Sequence, residues 1–500
     1  MTLSIHTRAD HYGTRTAVID RDAGESYSYE VLASMAERYA RGLAERSVGE
    51  GDPICVLSRN RPELLGLFYA AVDVGAILAP IPHRLPEDDV ATLRERIDPA
   101  LVCCEPRFED LAGENSVGIV ELLEDGEESQ EAGERPPPNP DRPLLYLHTG
   151  GTTGVPKVVV VPYRQVEWNC ITEVAAWGLG KEDVSPVLLP LFHTGGWHLL
   201  TLPTLYVGGQ VALHREFDPE DALETIETCG ATHVFGVAAI FNAMAGVEGF
   251  EETDFSSVDW FMSGGGPTPA AVIDAYRERG QRFTQGYGLT EGGPNNLYLD
   301  PDRPTAAEKV EESVGRPFPD CRARVVDEDG EPVDAGEVGE LELSGPVTAA
   351  GYLATEDGTF DDEWVSTGDL VRRDEDGDVF VVGRTDNRFV SGGENVSPER
   401  IEAVLESHPD VAEAGVVGVS HKKWGTVPKA VVVPDGDLEI SDDLEAHCRE
   451  HLADYEIPHA YETAAELPRS GPGKLDRSAL EERRGSVPEE RDGESGGEPE

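Results

Sequence analysis

Two short apolar runs, residues 143–148 and 158–161, are separated by nine residues, Thr149-Gly150-Gly151-Thr152-Thr153-Gly154-Val155-Pro156-Lys157. The aliphatic and β-branched residues on either side predict strands. Three glycines let the intervening backbone curl, and its N–H groups and threonine hydroxyls make it dense in hydrogen-bond donors. Lys157 adds a point charge at the far end. A loop of this kind can cradle a phosphate, and without a ligand it should be mobile. It is not a Walker loop, where the lysine follows a glycine and opens a helix. Here Pro156 precedes the lysine and a β-branched run follows it. The plain alternative is a glycine-rich hairpin turn.

Around this loop the chain alternates strand and helix patterns. Residues 26–46 predict a helix, with Leu32, Met35, Ala36, Tyr39, Ala40 and Leu43 at helical spacing. Residues 54–58 predict a strand, 62–74 a helix and 76–81 the next strand. The alternation implies a layered α/β domain. Residues 113–142 are acidic and end in Pro136-Pro137-Pro138, which reads as a surface excursion rather than a domain boundary. Further α/β units run to about residue 300. Residues 313–382 then predict a β-rich subdomain, with short runs at 323–326, 338–343 and 379–382 between Asp-Gly and Pro turns. Beyond Gly383 a compact α+β unit is expected, with helices at 398–407 and 442–452 and strands at 414–419 and 430–433. The expected division is therefore residues 1–383, residues 384–481 and an acidic, disordered tail at 482–500.

Charge narrows the surroundings. The formal net charge is −56, and the carboxylates are spread over the whole length. Only seven lysines occur: Lys157, Lys181, Lys309, Lys422, Lys423, Lys429 and Lys474. An acidic surface of this kind repels itself unless salt screens it, and the Debye length falls to about 3 Å at 1 M. The composition resembles that of extreme halophiles such as haloarchaea. The same field disfavours nucleic acid and anionic membranes. No apolar run reaches the ~18 residues of a membrane span, and the N-terminus lacks the pattern of a signal peptide. The seven cysteines form no C-x-x-C pair, so free thiols in a reducing cytoplasm are expected.

At the glycine-rich loop the sequence resembles the adenylate-forming, AMP-binding superfamily, whose loop reads T-S-G-T-T-G-x-P-K. Further matches follow in family order. Ser263-Gly264-Gly265-Gly266-Pro267 is similar to the turn beside the adenine and acyl pocket. Gln285-Gly286-Tyr287-Gly288-Leu289-Thr290-Glu291 resembles the Y-G-x-T-E signature. Thr367-Gly368-Asp369-Leu370 resembles the ribose-binding T-G-D element. Gly383-Arg384-Thr385-Asp386 resembles the hinge, with Asn387 where the family has a second aspartate. Ser391-Gly392-Gly393-Glu394-Asn395 is similar to the G-G-E-N segment of acyl-CoA synthetases. Pro468 to Lys474 resembles the C-terminal P-x-x-x-x-G-K motif.

The resemblance implies an α/β fold. A large N-terminal domain of layered α/β subdomains plus a β-subdomain would carry a small mobile α+β lid that pivots at Asp386. It implies that Thr149, Gly150, Gly151, Thr152, Thr153, Gly154 and Lys157 hold the phosphates of ATP. Gly264, Gly265, Gly266, Tyr287, Asp369 and Arg384 would hold the rest of the nucleotide. Thr290 would bond the α-phosphate and Glu291 would supply a hard oxygen to Mg²⁺. Lys474 would be the catalytic cation, a kind of group whose removal costs on the order of 10²–10³ in rate.

Pro190-Leu191-Phe192-His193-Thr194-Gly195-Gly196-Trp197 is similar to a segment of fatty and aryl acyl-CoA synthetases. This assigns His193 to the reaction, and Trp197, Gly288, Gly392 and Gly393 to the acyl and coenzyme A tunnel. Core packing of His193 and Trp197 is the alternative. His193 and His198 lack a third metal ligand.

The residues expected to line the pocket, Trp197, 234–240 and 264–288, are small or apolar and include no obvious cation for a second carboxylate, which favours a fatty or aromatic monocarboxylic acid. The implied reaction adenylates the acid and passes it to coenzyme A. Delivery to a carrier protein or other acceptor, and a catalytically silent nucleotide-binding homologue, are the competing readings.

Overall fold

The computed structural model describes residues 2–113, 115–128, 139–149, 157–303, 309–355, 358–361, 363–385, 387–391, 394–421, 425–435, 442–453, 455–470 and 474–482. Its first sheet has seven strands, in the order Gly351–Tyr352, Val158–Pro162, Pro143–His148, Ile77–Pro80, Pro53–Leu57, Leu101–Cys104 and Val117–Gly118. From Pro143–His148 onward the neighbours are parallel. Val158–Pro162 turns back antiparallel, and Gly351–Tyr352 pairs antiparallel with it.

A second sheet repeats this plan. His233–Gly236, Trp260–Ser263 and Phe283–Leu289 are parallel, and Gly293–Tyr298 then folds back antiparallel. A third sheet sets Thr16–Asp20, Gln210–Leu213 and Val184–Val187 in parallel, with Glu25–Ser28 on its edge. Strands Arg322–Val326, Val338–Ser344, Val365–Arg373 and Val379–Arg384 form an all-antiparallel sheet. A fifth sheet centres on the long pair Val411–His421 and Gly425–Pro434.

The local causes are ordinary ones. Helix Tyr29–Glu45 starts where Ser28 Oγ accepts the N–H of Val31. Helix Pro62–Val74 opens on proline and closes on Gly75 at φ 80°, a left-handed conformation that suits glycine. Helix 62–74 is buried nearly all round because it lies between a sheet and helix 29–45. The two helices approach closely at Gly66, where a Cβ would stand 2.6 Å from the Met35 sulfur.

Residues 113–142 differ from the expected surface excursion. Strand Val117–Gly118 extends the first sheet, and helix Ile119–Glu128 packs on helix 29–45. Ile119 and Leu122 are fully buried, and Tyr39 donates its hydroxyl to the Ile119 carbonyl at 2.8 Å. Gly42 and Gly126 bring the two backbones together. A Cβ on Gly42 would meet the Leu122 carbonyl oxygen at 2.5 Å, and one on Gly126 the Arg38 carbonyl at 1.8 Å. The expected disordered tail lies outside the described residues, apart from Glu482.

Asp378 anchors the β-rich sheet to the preceding chain. Its side chain is fully buried and accepts from Arg303 on both oxygens, from Lys309 Nζ at 2.5 Å and from Arg316 Nε at 3.1 Å. Lys309 also reaches Asp374 at 2.8 Å and Asp376 at 3.3 Å, so an ammonium already sits among these three carboxylates. Burial opposes ionisation of Asp378, but the bonds from Arg303 and Lys309 outweigh it and hold its pKa at about 2. Asp378→Ala should therefore cost about 3 kcal/mol in denaturant unfolding at neutral pH. That is the low end for a broken buried pair, because the freed cations can reach solvent. Since the folded pKa lies below the ordinary 3.8, this contribution is complete above that value and is lost as pH falls towards 2.

Candidate active site

Strands Pro143–His148 and Val158–Pro162 pair in the register Leu147↔Val159 and His148↔Val158. Thr149 N–H donates to the Lys157 carbonyl at 3.0 Å and closes the base of the loop. Residues 150–156, including Gly150, Gly151, Thr152, Thr153 and Gly154, lie outside the described residues. Lys157 holds its ammonium 4.8 Å from the centre of the Tyr352 ring. Tyr352 stands opposite Val159 on the added edge strand, and its hydroxyl donates to Glu291 Oε1 at 2.7 Å. One tyrosine therefore links the end of the glycine-rich loop to the glutamate of the second hairpin.

That hairpin joins Phe283–Leu289 to Gly293–Tyr298. Its tip carries Thr290 and Glu291, both nearly buried. Gln165 Nε2 donates to the Thr290 carbonyl at 3.2 Å, and Ala349 N–H donates to the Glu291 carbonyl at 2.9 Å. Among the described residues the Thr290 hydroxyl makes no hydrogen bond, and only one Glu291 oxygen is engaged. A hydroxyl donor and a carboxylate oxygen thus stand side by side. This pair can serve a phosphate oxygen and a divalent cation.

Further down the same strand, the Tyr287 hydroxyl donates to Asp369 Oδ2. Arg384 Nη1 donates to Asp369 Oδ1 at 2.8 Å across the strand register Asp369↔Arg384. Burial, reinforced by the Asp369 carboxylate, pushes the Tyr287 phenol well up, so it stays protonated and donating. Gly368 is at φ +71°, and a Cβ there would come within 2.9 Å of the Arg384 guanidinium. The absent side chain leaves room for Arg384 to reach Asp369. A carboxylate offers up to four acceptor positions, a capacity that suits a diol. The turn Gly264–Gly266 lies at the end of strand Trp260–Ser263, where Gly264 would touch the Phe235 ring and Gly266 faces open space.

His193 precedes helix Thr194–His198, and its ring lies 5.0 Å from His148, the last residue of the strand entering the glycine-rich loop. Burial, helped by His193, drives the His148 imidazole down to about 3, so it is neutral. His198 is buried and bonds Thr194 through Nδ1, and among the described residues neither it nor His193 belongs to a group of three side chains placed to hold a metal ion. The structure adds Tyr352, Gln165 and His148 to this neighbourhood. None of them stands out in the sequence, because an isolated Tyr, Gln or His carries no pattern.

Comparison with known proteins gives the family. The family described as AMP-binding enzyme matches residues 5–353, and the AMP-binding enzyme C-terminal domain matches residues 400–474. The chain belongs to the AMP-binding enzyme family. It is 34% identical to a feruloyl-CoA synthase of Amycolatopsis sp over 93% of this chain and 95% of that one. It is 32% identical to an indoleacetate–CoA ligase of Aromatoleum aromaticum, over 90% and 91%. Among solved structures, it resembles o-succinylbenzoate CoA synthetase from Bacillus subtilis in complex with the acyl-adenylate intermediate. The TM-score is 0.86 at 29% identity, covering 97% of this chain and 99% of that one. The same synthetase with ATP and a magnesium ion matches at TM-score 0.84 and 29% identity, over 95% and 98%.

Within this family member, Trp197 is fully buried in the main core, its ring 5.0 Å from Phe68. Gly288 packs inside its own hairpin. Asp386, Gly392 and Gly393 lie outside the described residues, as does the side chain of Lys474. The Lys474 backbone pairs with Ser470 in a short hairpin.

A Cβ on Gly288 would lie 1.7 Å from the Pro294 carbonyl oxygen, whereas one on Gly266 would meet nothing within 4 Å. Gly288→Ala should cost at least about 3 kcal/mol, the upper end of ordinary overpacking. Gly266→Ala should leave the melting temperature unchanged, so thermal unfolding of the pair checks the hairpin assignment.

Proposed function

We propose that this chain joins an aromatic monocarboxylic acid to coenzyme A by way of an acyl-adenylate. The reaction is AMP-forming acid–thiol ligation, with ATP, Mg²⁺ and coenzyme A as the other participants. The observation that carries the reading is the line Lys157–Tyr352–Glu291, which joins the glycine-rich loop to the Thr290–Glu291 tip. The aromatic ring is supported by the feruloyl, indoleacetate and o-succinylbenzoate relatives, and the single carboxyl group by the first two.

In the first half-reaction the substrate carboxylate attacks the α-phosphorus of ATP. The bond to the bridging oxygen breaks and pyrophosphate leaves. Lys157 and the loop donors would receive the charge on the leaving group. The Thr290 hydroxyl would donate to an α-phosphate oxygen. Mg²⁺ would be held by Glu291 together with phosphate oxygens, where it neutralises the developing charge. Asp369 would accept from the ribose hydroxyls, held in place by Tyr287 and Arg384. In the second half-reaction the thiol attacks the acyl carbon and AMP leaves. We assign residues 384–481 to a lid that turns about Asp386, and Lys474 to the adenylation step.

ATP–pyrophosphate exchange over a panel of aryl and alkyl acids, with and without coenzyme A, tests this. Exchange with aryl acids and coenzyme A-dependent AMP release is expected. Exchange without that release would move the acceptor to a carrier protein, and no exchange with any acid would leave a silent nucleotide binder. Lys474→Ala should abolish adenylation yet retain thioester formation from supplied acyl-adenylate. Equal loss of both half-reactions would overturn the lid assignment.

We further propose that the protein works in concentrated salt and in a reducing cytoplasm. The −56 charge and the scarcity of lysine support the first, and seven unpaired cysteines support the second. No helix among the described residues is long and apolar enough to cross a membrane. The melting temperature should rise steadily as KCl increases from about 0.1 M to about 1 M, where screening contracts to about 3 Å. A flat profile would remove the halophilic reading.

A further inference from the structure

Helix Tyr163–Trp177 buries three polar side chains along one face, Gln165, Asn169 and Glu173, each with no exposed surface. Their spacing of four places them in a single row. A buried polar row is unfavourable unless its bonds are met, and here the bonds leave the helix in two directions.

Towards the Thr290–Glu291 hairpin, Gln165 donates to the Thr290 carbonyl at 3.2 Å. Asn295, on the returning strand of that hairpin, donates to Asn169 Oδ1 at 2.8 Å and to Glu173 Oε1. Towards the His193 turn, Asn169 Nδ2 donates to the His198 carbonyl at 3.0 Å, and Leu200 N–H donates to Glu173 Oε2 at 3.4 Å. Leu200 is buried and adopts φ +71°, a left-handed conformation unfavourable for leucine. It lies two residues beyond helix Thr194–His198 and immediately before helix Thr201–Tyr206. Glu173 makes no ion pair among the described residues, and burial pushes its carboxyl well above the usual range. Its two oxygens accept from three N–H groups, those of Asn169 at 3.2 Å, of Asn295 and of Leu200.

We propose that Glu173 is a positioning residue for the ligation. It pins the strained Leu200, and with it the His193 turn, at a fixed distance from the Thr290–Glu291 tip. The acid would then lie between two walls whose separation is set by one helix. This rests on the reading of His193 and Thr290–Glu291 as parts of the ligase site.

The test is Glu173→Gln. It keeps one carbonyl oxygen for Asn169 and Asn295 but turns an amide NH₂ towards the Leu200 N–H. The KM for the acid should rise about tenfold, since small displacements of positioning groups have large effects. AMP binding by calorimetry should change less than about twofold, because Tyr287, Asp369 and Arg384 stand on other elements. Amide hydrogen exchange of residues 193–200 should quicken in Glu173→Gln, a readout independent of activity. Unchanged exchange there, or parallel shifts in acid KM and AMP affinity, would overturn the proposal. Wild type without acid-dependent exchange of pyrophosphate would instead overturn the ligase reading, and the hydrogen-exchange result would still decide the role of Glu173. Should Glu173→Gln fail to fold, Asn295→Ser carries the same readouts.

Discussion

A short backbone segment, residues 347–353, holds the two halves of the site together. Ala349 N–H bonds the Glu291 carbonyl, while Ala350 and Leu353 N–H bond the Val160 and Val158 carbonyls. Gly293, at φ +82°, lies so close to this segment that a Cβ would meet the Val347 carbonyl at 2.3 Å. The two large sheets are separate, and each ends in an antiparallel hairpin. Only because one strand borrows bonds from both hairpins can Lys157, from the first, face Glu291, from the second, with Tyr352 between them. Main-chain bonds suit this task, since they fix spacing without depending on ionisation or salt.

That independence matters in a chain so acidic. Exposed ion pairs contribute little and are screened by salt, and two of the described lysines are placed where screening is least effective or where several carboxylates converge. Lys309 sits among three aspartates, and the nearly buried Lys429 pairs with Glu462 at 2.8 Å. Lys157 faces an aromatic ring whose hydroxyl is committed to Glu291, so the cation and the carboxylate are held near each other without collapsing into a direct pair. A phosphate and a metal cation can then enter between charges that are already arranged.

The strands flanking the glycine-rich loop and the helix at 62–74 were legible because apolar periodicity and terminal signals agreed there. Helix Ile119–Glu128 was not, since its acidic residues and the prolines beyond it masked the buried stripe of Ile119 and Leu122. Thr290, Glu291, Tyr287, Asp369 and Arg384 were legible as motifs, and the structure brings them into two adjoining clusters. The motif around Trp197 does not tell that its ring packs in the core against Phe68. Nor does the motif around Gly288 tell how closely that glycine meets the Pro294 carbonyl of its own hairpin. The row Gln165, Asn169 and Glu173 was hidden as well. Polar residues at helical spacing predict a solvent face, and only tertiary structure reveals that their partners are buried with them.

This row also explains why the helix carrying it is not simply apolar. An aliphatic face would pack as well against the second hairpin, but packing alone tolerates sliding of one element over another. Hydrogen bonds in a buried setting do not, because each broken bond leaves an unsatisfied group. The helix therefore trades nonspecific adhesion for register against Thr290, Asn295, His198 and Leu200. Specificity of position, rather than added stability, is what a site assembled from two sheets requires.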